Sequence, residues 1–225
     1  MKYDKQLNEK IDANSDEKYA KFHSSLVPNT KIKGVKIPVL RKIAKEFSVY
    51  DDFLKNITLD SYESISVACY YTGATTKNTE QLKTRLEFIL PYINNWAVCD
   101  TFVSSLKILK TKKDEMYSTI LNYLKSDSEF VVRFAIVCLL TYFINNDNIE
   151  FLLDKMVDLQ NKTYYIDMAI AWFVSVAFVK CREKTLKFLQ NERFKKNVQN
   201  KIISKICDSF RVSKFDKEIV KKLKY

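Results

Sequence analysis

The stretch YYIDMAIAWFVSVAFVK, residues 164–180, decides how this chain folds. From Met168 to Val179 it is apolar on every side, interrupted by Ser175 and bounded by Asp167 and Lys180. A bilayer span needs about 20 apolar residues, so the run is too short to cross a membrane. A helix that is apolar all round belongs in the interior, packed against other helices. Thr163 precedes it and can cap it. The sequence therefore predicts a core helix here and other helices to cover it.

The rest of the chain supplies them. Two glycines and three prolines in 225 residues, against usual frequencies of about 7% and 5%, leave almost nothing for strand hairpins. Residues 35–47, VKIPVLRKIAKEF, put Val35, Val39, Leu40, Ile43 and Phe47 on one helical stripe. Asp60 can cap SYESISVACYYTG, with Gly73 placed to end it, and Ser126 or Asp127 can cap SEFVVRFAIVCLLTYFI. Further helices are predicted at 2–13, 15–26, 79–91, 94–110, 113–125, 147–158, 182–190, 194–209 and 214–223. With 47% hydrophobic content, a single domain over residues 1–225 is expected. Trp96, Arg133, Trp172 and Arg211 recur at intervals of 37, 39 and 39 residues, near the period of HEAT-type helix pairs. The predicted fold is all-α, a right-handed α-solenoid of HEAT-like antiparallel helix pairs, about six pairs long.

Composition also excludes function classes. The only glycines, Gly34 and Gly73, cannot write a P-loop or a dinucleotide fingerprint, so no nucleotide cofactor is expected. Five widely spaced cysteines without a C-x-x-C read as reduced thiols of a cytoplasmic protein, and with one histidine no metal site is expected. His23 reads as a partly exposed structural residue. From the polar N-terminus no secretory signal is expected.

Charge points to a partner. Residues 180–225 hold 15 Lys/Arg against 5 Asp/Glu, nearly all of the net +11, and Lys31–Lys45 adds six cations and no acid. Clustered cations suit a polyanion, because neutralising phosphates releases counterions. They also suit a plain solvated face, and charge alone leaves both readings open.

Asp100 follows Trp96 by one helical turn in NNWAVCD, so both emerge from one face. Arg133 lies among FVV and FAIV, where a charge needs a partner or a groove, and Trp172 sits mid-way along the most apolar helix. These residues could be packing, with Arg133 neutralising Asp100 and the indoles filling the core. The competing reading is that they line one cleft, where a carboxylate between aromatic faces would favour a cation or developing positive charge.

The chain resembles the AlkD-like family of DNA glycosylases almost end to end, through GVKIPVLRKIAKE, NNWAVCD, SDSEFVVRFAIV, AIAWFVS and NKIISKICDSFRVS. The resemblance implies a helical-repeat enzyme that excises cationic N-alkyl purines such as 3-methyladenine and 7-methylguanine from duplex DNA without flipping the base. It implies Asp100 as the catalytic carboxylate, Trp96 and Trp172 against the lesion-bearing deoxyribose, and Arg133 facing the DNA backbone. Ser175 stands where the family has an arginine. The family's paired C-terminal arginines have Lys196, Lys201 and Lys205 as nearest counterparts, and Lys201 and Lys205 are taken as DNA contacts. A monofunctional glycosylase is expected, acting as a monomer on double-stranded DNA with alkylated bases, with no membrane partner. The alternative is a non-catalytic helical scaffold binding nucleic acid or protein through a basic concave face.

Overall fold

A computed structural model describes residues 1–27 and 30–225. Among them are thirteen α-helices and no strand: α1 (Asp4–Asp12), α2 (Glu17–Leu26), α3 (Ile37–Glu46), α4 (Tyr62–Thr75), α5 (Thr79–Ile89), α6 (Trp96–Ser105), α7 (Leu109–Tyr123), α8 (Glu129–Cys138), α9 (Ile149–Leu159), α10 (Tyr164–Lys180), α11 (Arg182–Gln190), α12 (Lys196–Asp208) and α13 (Lys214–Lys221). A π-helical turn, Leu139–Phe143, prolongs α8. The chain divides into two compact units, Met1–Met116 and Tyr117–Tyr225.

In the second unit α10 is the hub. It packs beside α8 and α12, while α9 and α11 lie against it and each other, giving two layers of helices. Thr163 Oγ1 caps α10 by accepting from the Ile166 N–H. In the first unit α4 has the same role, packed against α3, α5 and α6. Every residue of α4 from Tyr62 to Thr72 is buried, which is why its sequence is apolar or uncharged on all sides except at Glu63.

Glu63 is the exception that organises the unit's entrance. Its Oε1 accepts from the consecutive N–H groups of Lys33, Gly34 and Val35, at 3.0, 2.8 and 3.3 Å. Three amides in a row can converge on one oxygen because Gly34 takes φ +87. His23, buried beside this carboxylate, meets Tyr62 edge-on at 4.5 Å. Burial lowers its pKa, against the raising pull of Glu63. The expectation of a partly exposed histidine is corrected: His23 belongs to the core.

Four helix boundaries differ from those read in the sequence for identifiable local reasons. Gly73 does not end α4, which runs on to Thr75; a Cβ at Gly73 would lie 2.5 Å from the Ser105 carbonyl oxygen, so the glycine serves close approach of α6. The cap of α4 is Ser61, in a reciprocal capping box with Ser64. The predicted helix 94–110 stops at Ser105, where Thr101, Ser104 and Ser105 all turn their hydroxyls onto backbone carbonyls one turn back. Ser126 caps a turn by accepting from the Ser128 N–H, and Ser128 is the residue that precedes α8.

The repeat is also more regular than the landmark residues suggested. The helices α4, α6, α8, α10 and α12 begin at 62, 96, 129, 164 and 196, intervals of 34, 33, 35 and 32 residues. Trp96 opens its helix, Arg133 and Trp172 lie inside theirs, and Arg211 falls beyond α12, so their spacing near 38 tracks no single helical position.

Candidate functional site

Counting from the first residue of each of these five helices, the first, fifth and ninth positions lie on one stripe, one turn apart. In α6 they are Trp96, Asp100 and Ser104; in α10, Tyr164, Met168 and Trp172; in α12, Lys196, Asn200 and Ser204; in α8, Glu129, Arg133 and Val137; in α4, Tyr62, Ser66 and Tyr70. Four of the residues singled out in the sequence therefore share one register, Trp96 at a first position, Asp100 and Arg133 at fifth positions and Trp172 at a ninth. The signal that could have found this is the cap: Ser61, Asn95, Ser128 and Thr163 immediately precede four of the helices.

In α6 this stripe reaches solvent, with Thr101 and Ser105 half-buried beside it. Trp96, Asp100 and Ser104 are half-buried or exposed, while Ala97, Val98, Cys99, Phe102 and Val103 are buried. Asn95 fixes the start of the helix by accepting from the Val98 N–H at 2.9 Å. The indole of Trp96 is held in turn, its Nε1 donating to the Leu26 carbonyl at 3.2 Å. Leu26 ends α2, so the indole satisfies a carbonyl that has no helical partner. This bond leaves the ring face, not the N–H, to meet anything docking at Asp100.

In α10 the same logic applies. Tyr164, Tyr165, Met168 and Trp172 are its only residues that reach solvent before its last turn. Neither tryptophan of the protein fills the core, as the packing alternative required.

Arg133 is 6% exposed, and its Nη1 donates to the Tyr165 carbonyl at 2.9 Å. One turn earlier, Glu129 accepts from the Tyr165 N–H at 2.9 Å and from the Thr163 hydroxyl. The two α8 side chains thus grip both polar groups of one residue at the start of α10, setting the helix that carries Trp172. Glu129 was not singled out in the sequence, where it reads as an ordinary first-turn acid.

The two lysines differ. Lys201 pairs with the buried carboxylate of Asp167 at 3.0 Å. Asp167 also accepts from the Asn161 N–H at 2.8 Å, a turn residue with φ 60. Lys205 has no carboxylate partner among the described residues. Its carbonyl accepts from Ser175 Oγ at 3.2 Å, so Ser175, buried, joins α10 to α12 where an arginine was expected by resemblance. Met168, Asn200, Lys201, Ser204, Lys205 and Asp208 enclose a recess of about 280 Å³. Among the described residues no three His, Cys, Asp or Glu side chains gather as metal ligands would, and no helix is long and apolar enough to cross a membrane.

The model of a family described as DNA alkylation repair enzyme matches residues 3–205. The chain belongs to the DNA alkylation repair enzyme family. No curated protein matches it. The family match spans α4, α6, α8 and α10 and reaches Ser204 of α12, so it contains every stripe position named above and ends before α13. Membership gives the protein a role in DNA repair, as an enzyme with DNA as its substrate.

For a DNA alkylation repair enzyme the contrast between the lysines is measurable. Lys205→Ala should leave the urea midpoint in place and reduce the slope of log affinity for DNA against log salt by about one. Lys201→Ala should lower stability by about 1–3 kcal/mol, because it strips a buried carboxylate of its charged partner. Equal stability of the two variants would mean that the Asp167 pair contributes nothing.

Proposed function

We propose that the protein is a monofunctional DNA glycosylase that hydrolyses the N-glycosidic bond of cationic N-alkylated purines, 3-methyladenine and 7-methylguanine, in duplex DNA without flipping the base. The observation that carries the reading is the solvent-facing stripe of α6, where Asp100 sits one turn from a half-buried indole whose N–H is already engaged.

The chemistry asks for little more. A purine alkylated at a ring nitrogen carries a positive charge, so the glycosidic electron pair leaves onto the base without a proton donor. Glycosidases that must protonate a poor leaving group use two carboxylates; here one suffices. As the bond breaks, positive charge builds on the sugar, and the Asp100 carboxylate stabilises it and receives a proton from the water that adds to the anomeric carbon. The products are the neutral alkyl base and an abasic site. Trp96 and Trp172 offer ring faces to the cationic sugar. In this reading Arg133 is a positioning residue, acting through Tyr165 on the helix that carries Trp172, and Lys205 contacts a phosphate.

The reading places these residues on a right-handed α-solenoid of HEAT-like antiparallel pairs, which the side-by-side packing of α8, α10 and α12 supports. It has the protein work as a monomer in the cytoplasm. The test is release of free 7-methylguanine and 3-methyladenine from methylated duplex DNA by the purified protein. Release well above the spontaneous rate is expected. Binding of the same duplex without release would replace the enzyme by a scaffold.

A further inference from the structure

Three helix C-termini in the first unit meet around a recess of about 910 Å³. Each terminus carries a lysine: Lys45 in the last turn of α3, Lys77 two residues beyond α4, and Lys107 two residues beyond α6. Arg41, one turn before Lys45, adds a fourth cation, its guanidinium lying 5.1 Å over the ring of Tyr70. One acid, Asp51, lines the same recess. None of the four cations has a carboxylate within ion-pair distance among the described residues, whereas their neighbours Lys31 and Lys33 are paired with Asp60 and Asp12.

Part of this charge offsets the helix dipoles, whose negative ends converge here. Dipole compensation needs one cation per terminus and does not require that they face a common space. The recess hydroxyls are not available to an anion: those of Ser48, Thr75, Thr76, Ser104 and Ser105 donate to backbone carbonyls, and that of Tyr70 is buried. An anion entering the recess would be held by ammonium and guanidinium groups alone.

The register tells which anion. Tyr70 and Ser104 line the recess, and they are the ninth positions of α4 and α6. Ser104 lies one turn, about 6 Å, beyond Asp100 along the same stripe. A chain of phosphates that passes Asp100 along α6 therefore runs directly into the four cations. We infer that this recess is a binding site for the phosphodiester backbone of the DNA strand next to the reacting nucleotide, with Arg41, Lys45, Lys77 and Lys107 as its phosphate contacts. The inference rests on the assignment of Asp100 to the reaction centre for its register, and on the family for its ligand class. Of the six cations in Lys31–Lys45, it selects Arg41 and Lys45, and it adds Lys77 and Lys107, which stand outside both basic segments of the sequence.

The test is the triple variant Lys45→Gln, Lys77→Gln, Lys107→Gln in the full chain. Its affinity for an unmodified 20-base-pair duplex is measured across a salt series, alongside affinity for inorganic tripolyphosphate. Because each neutralised phosphate contributes about 0.9 to the slope of log affinity against log salt, the expected loss is roughly 2.7, with at least tenfold weaker binding at low salt. An unchanged slope overturns the site. So does loss of tripolyphosphate binding with the DNA slope intact, which would make the recess a pocket for a small polyanion. The unmodified duplex keeps this outcome separate from catalysis: a reduced slope in a protein that releases no alkylated base supports the site while removing the glycosylase. Equal urea midpoints for variant and wild type exclude misfolding, and if they differ, each single variant with its expected slope change of about 0.9 decides in the same way.

Discussion

Gly34→Ala is expected to lower the stability of the protein by about 4 kcal/mol or more, among the largest effects on stability of any single substitution. Gly34 has φ +87, a region that costs an L-residue roughly 1–3 kcal/mol by itself. Space is the larger problem. A Cβ there would lie 2.2 Å from the Asp16 carbonyl oxygen and 2.8 Å from the Ala20 nitrogen. Those two atoms form the first hydrogen bond of α2, at 2.8 Å, so the methyl group would wedge into the start of a helix that cannot swing aside as a side chain does. Moving residue 34 instead would break the three amides away from Glu63, leaving a fully buried carboxylate short of donors. Urea unfolding followed by far-UV circular dichroism measures the loss. Glu63→Gln, which keeps an acceptor oxygen for the same amides, should cost less than Gly34→Ala. A Gly34→Ala protein within about 1 kcal/mol of wild type would mean that the loop relaxes freely, and the cradle would lose its structural role.

This cradle marks a boundary of what sequence can disclose. Helical periodicity is a local property, so α3, α9, α10 and α11 could be read to within two residues of their ends, and the apolar surround of residues 164–180 announced the hub of the second unit. Glu63 could not be read as a buried anchor, because its three donors lie 28 to 30 residues upstream and are backbone amides that carry no side-chain signature. Gly73 was misread for the same reason. A glycine near the end of a helix signals a cap unless another helix leans on it, and Ser105 lies 32 residues further on. The candidate site was legible as residue types, through Trp96, Asp100, Arg133 and Trp172, but its organising rule was hidden. The register depends on where each helix starts, and Arg133, Glu129 and Tyr165 reveal their joint role only once α8 and α10 are side by side. Lys201 and Lys205 looked equivalent as two cations one turn apart; the buried Asp167 that distinguishes them lies on another helix.

Asp100→Asn is expected to reduce release of 7-methylguanine from methylated duplex DNA by about 100- to 10,000-fold, the range for loss of a positioned general base, while DNA affinity stays equal or rises. The two halves of this prediction arise from one charge. A carboxylate on a stripe that meets DNA repels the phosphates of the bound strand, so as a ground-state contact it is unfavourable. Its contribution appears only as positive charge builds on the sugar during bond cleavage, when the same negative charge attracts. Asparagine keeps the shape and the helix, removes the repulsion and removes the stabilisation. Single-turnover release, measured beside binding of the uncleaved duplex, therefore separates a catalytic carboxylate from a structural one. A structural role would weaken both together, since α6 also carries Trp96 and its bond to Leu26. Substrate charge should follow the same rule. With Asp100 as the one acid on the α6 stripe, the protein should release 3-methyladenine and 7-methylguanine from their cationic nucleotides and leave neutral alkylated or etheno bases in place. Equal release by wild type and Asp100→Asn would dismiss Asp100 from the reaction, and efficient release of a neutral base would require a proton donor that this stripe does not contain.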